Sequence, residues 1–248
     1  MKHLLKVFLT CSVVAGLHQA AHAQVSYSSS TTITSWAGVP IYTSLANSAL
    51  SGASTAQGDP TITGANGVLA ETFTTSGAFT LGSFNVLLSV NNAGTYGVDL
   101  LDLGPAGTVS VSSASATYTA GTMLFSDTVA LTGPAGAVQG MFSLSGADRV
   151  SLLANEEYAL EILTPTALGQ NGVTWFRGST ADPGGQMFSG GDSAGTRNTL
   201  AGSGQAGGAP RTGALALYTV PEPSTAALFC LGGLALLKKK LSRDYFKI

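Results

Sequence analysis

Between Gln24 and Thr219 no apolar stretch keeps a helical period for long; short runs of Val, Leu, Phe and Tyr recur instead, each closed by Gly, Ser, Asn or Pro. Glycine is a weak helix former, and each turn resets the period, so long helices cannot propagate through such a text. Many short strands with turns between them are the alternative. The runs are Val68–Thr75, Phe79–Val90, Thr95–Leu103, Thr122–Leu131, Val138–Leu144, Arg149–Leu153, Glu157–Thr164, Val173–Arg177 and Ala214–Thr219. Asn91-Asn92-Ala93-Gly94 reads as a turn, and Ala154-Asn155-Glu156 as a hairpin turn between its two neighbours. Tyr158, Leu160 and Ile162 alternate with Glu157, Ala159 and Glu161, which predicts a strand with one buried and one wet face. The expected fold is all-β, an antiparallel β-sandwich or jelly-roll over residues 68–219. A Ser/Thr/Gly-rich extended segment over 24–67 precedes it, loop-like from Leu45 on, with turns at Gly58-Asp59-Pro60 and Asn66-Gly67. About 196 residues between Gln24 and Thr219 suffice for one core.

The two ends obey other rules. Lys2 and Lys6 form a positive start, Val7–Leu17 is mostly apolar, and Ala21-His22-Ala23 fits the small-x-small rule. Residues 1–23 therefore read as a signal peptide, cut by signal peptidase before Gln24. Thr10 precedes Cys11 where a lipoprotein signal wants a small residue, so no lipid is expected there. At the other end, residues 220–248, Pro221 and Pro223 remove backbone donors and hold Val220 and Glu222 out of the α region. Pro223 suits a first helical position, with Glu222 beside the positive helix end. Ser224–Leu237 carries no charge, and Lys238-Lys239-Lys240 stops it. A helix of that length spans about 21 Å, short of the roughly 30 Å hydrocarbon core. It crosses only with local thinning and with the lysines snorkelling to the cytoplasmic face.

An extended Pro221-Glu222-Pro223, a marginal membrane helix with Gly232-Gly233, and a basic stop at Lys238–Lys240 together resemble the PEP-CTERM sorting signal of Gram-negative bacteria. The tail Leu241–Ile248 runs past the usual basic end. The resemblance implies recognition by exosortase, a membrane-embedded transpeptidase-like protease. It also implies delivery to the surface or extracellular matrix, with the C-terminal helix as a transient membrane anchor. The body looks like a domain often found ahead of such signals. The stretches that carry this are Glu71–Thr74, Tyr96–Leu101, Val150–Ile162, Trp175–Gly178 and Gly184–Gln186. What it implies is a β-sandwich fold.

Charge and composition narrow the chemistry. Every His, Cys and Lys lies in the end segments. The exported part keeps four arginines (149, 177, 197 and 211) against eleven acids, a net charge of −7 where the whole chain has −2. An acidic, lysine-free surface disfavours nucleic acid and anionic lipid as partners. Without His or Cys, a Ser-His-Asp triad, a thiol nucleophile and an N/S zinc site are all excluded. No cofactor is expected. A carboxylate pair for glycoside hydrolysis remains conceivable, with Glu156, Glu157 and Glu161 the densest cluster, but a wet strand face explains them more simply. Trp175, Phe176 and Arg177 form a candidate platform for a sugar ring, the basis of an alternative role in binding exopolysaccharide. Asp182 and Asp192, in Gly-rich loops, are weak candidate calcium ligands, lacking an alternating Asp/Asn register. Gly202–Gly208 lacks the context and the lysine of a phosphate cradle. The leading expectation is a non-catalytic surface or matrix protein.

A fragment spanning Gln24–Thr219 should give a far-UV spectrum dominated by β-structure and unchanged by reductant, since it holds no cysteine. A helical or disordered spectrum would count against the fold expected above.

Overall fold

The computed structural model describes residues 24–46, 49–50, 67–109, 117–118, 121–133, 136–164, 172–178, 185–191, 200–202 and 212–220. In chain order the strands open with β1 (Gln24–Ser30), β2 (Tyr42–Thr43), β3 (Gly67–Thr74), β4 (Phe79–Val90) and β5 (Gly94–Pro105). Then come β6 (Thr117–Tyr118), β7 (Thr122–Leu131), β8 (Val138–Ser145), β9 (Ser151–Leu152) and β10 (Glu156–Thr164). The series closes with β11 (Val173–Trp175), β12 (Arg177–Gly178), β13 (Met187–Gly191), β14 (Leu200–Gly202), β15 (Thr212–Gly213) and β16 (Leu215–Thr219). A 3-10 turn, η1 (Gly146–Asp148), follows β8.

These strands form two antiparallel seven-stranded sheets. The first runs β1-β8-β4-β16-β2, with β9 and β11 also on β4; the second runs β6-β14-β13-β3-β10-β5-β7. β12 and β15 make a separate short pair. The all-β sandwich expected from the runs is the fold. Aromatic cross-strand partners mark its register. Phe84 of β4 lies opposite Phe142 of β8, rings stacked at 4.6 Å, and Phe73 of β3 lies opposite Tyr158 of β10 at 5.6 Å. Such pairs are the stabilising unit of a sheet, beyond the area they bury.

Three details depart from the pattern read along the chain. The turns predicted at Asn91–Gly94 and Ala154–Glu156 connect different sheets and close no hairpin. Asn91-Asn92 carries the chain from β4 to β5, its two backbone N–H groups bonded to Gly172 O and its Asn92 carbonyl to the Tyr96 hydroxyl. Asn155, at φ 59°, turns the chain from β9 on the first sheet to β10 on the second. Asn tolerates that left-handed conformation better than most side chains.

The 24–67 segment is also not an appendage. β1 pairs with β8 over Gln24–Ser30, and β2 pairs with β16. Trp36 between them, and Leu45 and Leu50 just after β2, pack on Leu87, Ala214 and Ala216, the outer face of the first sheet. The part of the expected loop within 51–66 lies outside the described residues.

The third departure concerns burial. The main core lies between the sheets, but a second apolar cluster, Val68, Ala70, Leu101, Val109, Ala159 and Phe188, sits on the outer face of the second. Central strands are thus buried on both faces. β3 is buried along seven of its eight residues.

Phe84→Ala removes a fully buried ring stacked on Phe142. It should destabilise the domain by about 3–5 kcal/mol. The check is the urea midpoint of unfolding at unchanged slope; a loss under about 1 kcal/mol would mean that the stack is not central to the core.

Candidate functional site

Trp175 sits in β11 opposite Leu88, and its whole side chain is inside the main core, 0% exposed. Its indole N–H donates to Ala214 O at 3.0 Å, the usual satisfaction of a buried tryptophan. Phe176 turns the other way, against the outer cluster of the first sheet, and Arg177 in β12 is buried too. This corrects the sugar-platform expectation at Trp175 and Arg177: a ring without exposed surface has no face to offer a ligand.

The acidic cluster is corrected in the same sense. Glu157 and Glu161 do face away from the main core, as the alternation required, yet that face is covered and they are 1% and 3% exposed. Glu157 Oε2 accepts the Val109 N–H at 3.0 Å. Burial pushes the Glu157 carboxyl up, outweighing N–H groups of Val109, Gly107 and Thr108 that pull it down. Glu161 lies directly opposite Asp99 of β5, itself 3% exposed. Only Glu156, at the strand's start, is half-buried.

A further acid, Glu71, was not singled out. It lies opposite Leu160 and Met187, two residues of the main core, and is 0% exposed. Its Oε2 accepts the Gly213 N–H at 2.7 Å. A Cβ at Gly213 would come within 2.9 Å of that oxygen and 3.1 Å of the Trp175 indole nitrogen, so only glycine fits between them. Period-two spacing with Leu69 and Phe73 was the signal that put Glu71 inward.

Asp182 and Asp192 lie outside the described residues. Among the described residues no group of three or more His, Cys, Asp or Glu could hold a metal ion.

The chain's other candidate feature begins where the sandwich stops. β16 is an interior strand of the first sheet, between β4 and β2, and ends at Thr219. Val220 is still fastened, its N–H donating to Thr80 O at 3.1 Å. A Cβ on Gly82 would meet the Val220 backbone at 2.7 Å, so the glycine permits this close approach. A cleft of about 430 Å³ opens beside the junction, lined among others by Val39, Arg149, Tyr218 and Thr219.

Residues 219–240 match the family model of the PEP-CTERM protein-sorting motif. This is a sorting signal. The match takes in Pro221, Glu222, Pro223 and Lys238–Lys240, all outside the described residues, and it starts on the last residue of the last strand. The protein is an exosortase substrate, exported and associated with the cell envelope. No curated protein and no solved structure matches the chain. Among the described residues no helix is long and apolar enough to cross a membrane. The hydrophobic helix expected over Ser224–Leu237 and the cleavage residues Ala21 and Ala23 lie outside them, whereas Gln24 opens β1.

Glu157 yields a signed pH prediction. A carboxyl raised on folding holds its proton in the folded state after the unfolded chain has lost it. Stability therefore falls as pH rises from the ordinary value of 4.5 through the folded value, and stays lower above it. Glu157→Gln keeps an acceptor for Val109 N–H and removes the charge. The variant should be more stable than wild type at neutral pH, the difference vanishing below about pH 4.5. Urea unfolding across pH checks this; a variant less stable at neutral pH would show that the N–H cradle outweighs burial.

Proposed function

We propose that this is a non-catalytic structural component of the cell surface or extracellular matrix, exported, cut by signal peptidase before Gln24 and delivered by exosortase. The observation that carries the reading is the burial of Trp175, 0% exposed. It leaves the exopolysaccharide alternative without the aromatic face on which it rested. Burial of Glu157 and Glu161 likewise weighs against a glycosidase built on that cluster, since a hydrolytic pair must reach substrate and water.

The transient anchor follows from the ends. A 14-residue apolar span is short for a bilayer, and Gly232-Gly233 weakens its helix by about 1 kcal/mol per glycine relative to alanine. Because Val220 is still held by Thr80, the folded domain supplies no slack before Pro221. The extended tripeptide must then be what stands the domain off the membrane and presents the backbone to the protease.

Replacing Pro221 and Pro223 with Ala lets helix continue upstream and should block recognition. In a host with exosortase, the double variant should accumulate in the inner membrane still carrying Lys238–Ile248, as read by intact mass and fractionation. A double variant processed and displayed like wild type would overturn the reading.

A further inference from the structure

β1 begins at Gln24, opposite Ser145, whose hydroxyl donates to Gln24 O at 3.0 Å. On its other edge Val25 N–H donates to Asp127 Oδ2 of β7 at 2.8 Å, and Asp127 Oδ1 accepts the Thr128 N–H at 2.7 Å. A second acid meets Asp127 there. Asp148 closes η1 beside the Asp127 carboxyl and is 4% exposed, and its Oδ2 is buried without a hydrogen-bond partner. Arg149, next in sequence, does not answer it: the side chain is exposed and its Nε donates to Leu144 O at 3.0 Å. The neighbouring strand β8 presents Ser145, which is uncharged. A buried carboxylate oxygen with no donor is costly to leave so.

We infer that the Asp127–Asp148 pair is the seat of the mature N-terminus, taking the α-ammonium that cleavage before Gln24 creates. This rests on the signal-peptidase reading proposed above. An extended chain advances about 3.3–3.6 Å per residue, so the Gln24 nitrogen lies within roughly 6.4 Å of the Asp127 oxygen that Val25 holds at 2.8 Å. In the uncleaved chain that nitrogen is a neutral amide with one proton. After cleavage it carries a charge and three donors beside two acids. Burial, and Asp127 alongside, push the Asp148 carboxyl up, so the uncleaved pair is relieved by keeping a proton. The ammonium takes that proton's place. Removal of the signal peptide thereby completes the corner where β1, β7 and η1 meet, and only the correctly cut chain has the group that fits.

The test uses the exported protein purified from cells, its N-terminus first established by mass. The α-amine is reductively dimethylated with labelled formaldehyde and cyanoborohydride, which keeps its charge, and titrated by NMR. The only lysines after Gln24 are 238, 239, 240 and 247, so the signal is uncluttered. The expected midpoint lies about one unit or more above the ordinary 7.7–8.0. It should fall back in Asp148→Asn and in Asp127→Asn, whose amide oxygen can still accept the Val25 N–H. A docked ammonium is also a poor nucleophile, so Gln24 should stay open in the wild type. In the two variants it should cyclise to pyroglutamate, with loss of one ammonia by mass. An unshifted amine on a Gln24 terminus, or wild-type Gln24 already cyclised, overturns this inference alone. A mature terminus other than Gln24 overturns the signal-peptidase reading with it.

Discussion

Strand β10 has no wet face. Tyr158, Leu160 and Ile162 point into the space between the sheets, and Glu157, Ala159 and Glu161 on the other side are buried as well. Its two edges are paired with β3 and β5, so its backbone groups are satisfied along the strand. A strand in this position obliges the rest of the chain to supply a cover for the outer face. The turn after β5 does so, bringing Val109 over Leu101 and Ala159 and lending its N–H to Glu157. The buried carboxylates follow from this arrangement: they are accommodated by backbone donors at the expense of stability at neutral pH.

The first sheet meets the same obligation differently, with the residues that flank β2, Trp36 before it and Leu45 and Leu50 after it. Gln139 of β8, 1% exposed, is the fastening. Its Oε1 accepts Ala37 N–H at 2.9 Å and the Asn85 amide at 3.0 Å, while its Nε2 donates to Ser35 O at 3.0 Å. Asn85 also donates to the Tyr218 hydroxyl at 3.1 Å. One network therefore joins the N-terminal cover, the spine strand β4 and the last strand β16. The strand that runs into the sorting signal is held by this network.

That connection bears on processing. Exosortase meets a signal with no linker between it and an interior strand, so the domain can stay folded while its C-terminus is cut. At the opposite end, β1 is a sheet edge packed beside β7, where Asp127 accepts the Val25 N–H.

Strand positions were largely legible because each run is local. Phe79–Val90 and Thr122–Leu131 coincide with β4 and β7, and the sorting signal was readable because its proline, apolar and basic parts act in linear order. Burial was not legible. Alternation assigns the two faces of a strand but cannot say that both are covered, which is why Glu157 and Glu161 read as wet. It likewise cannot tell a core tryptophan from a platform. β13, with Met187 and Phe188 fully buried among glycines, gave too short a pattern to register. Turns were found, but whether Asn155 closes a hairpin or crosses between sheets depends on which distant strand claims β9, and that is β4, some seventy residues away. The sequence by itself determined the all-β class, the strand runs and the destination, because propensity, period and a linear signal are local properties. Only the tertiary structure decided what is buried, which acids meet, and that Val220 is pinned, because each depends on contacts between residues far apart in the chain.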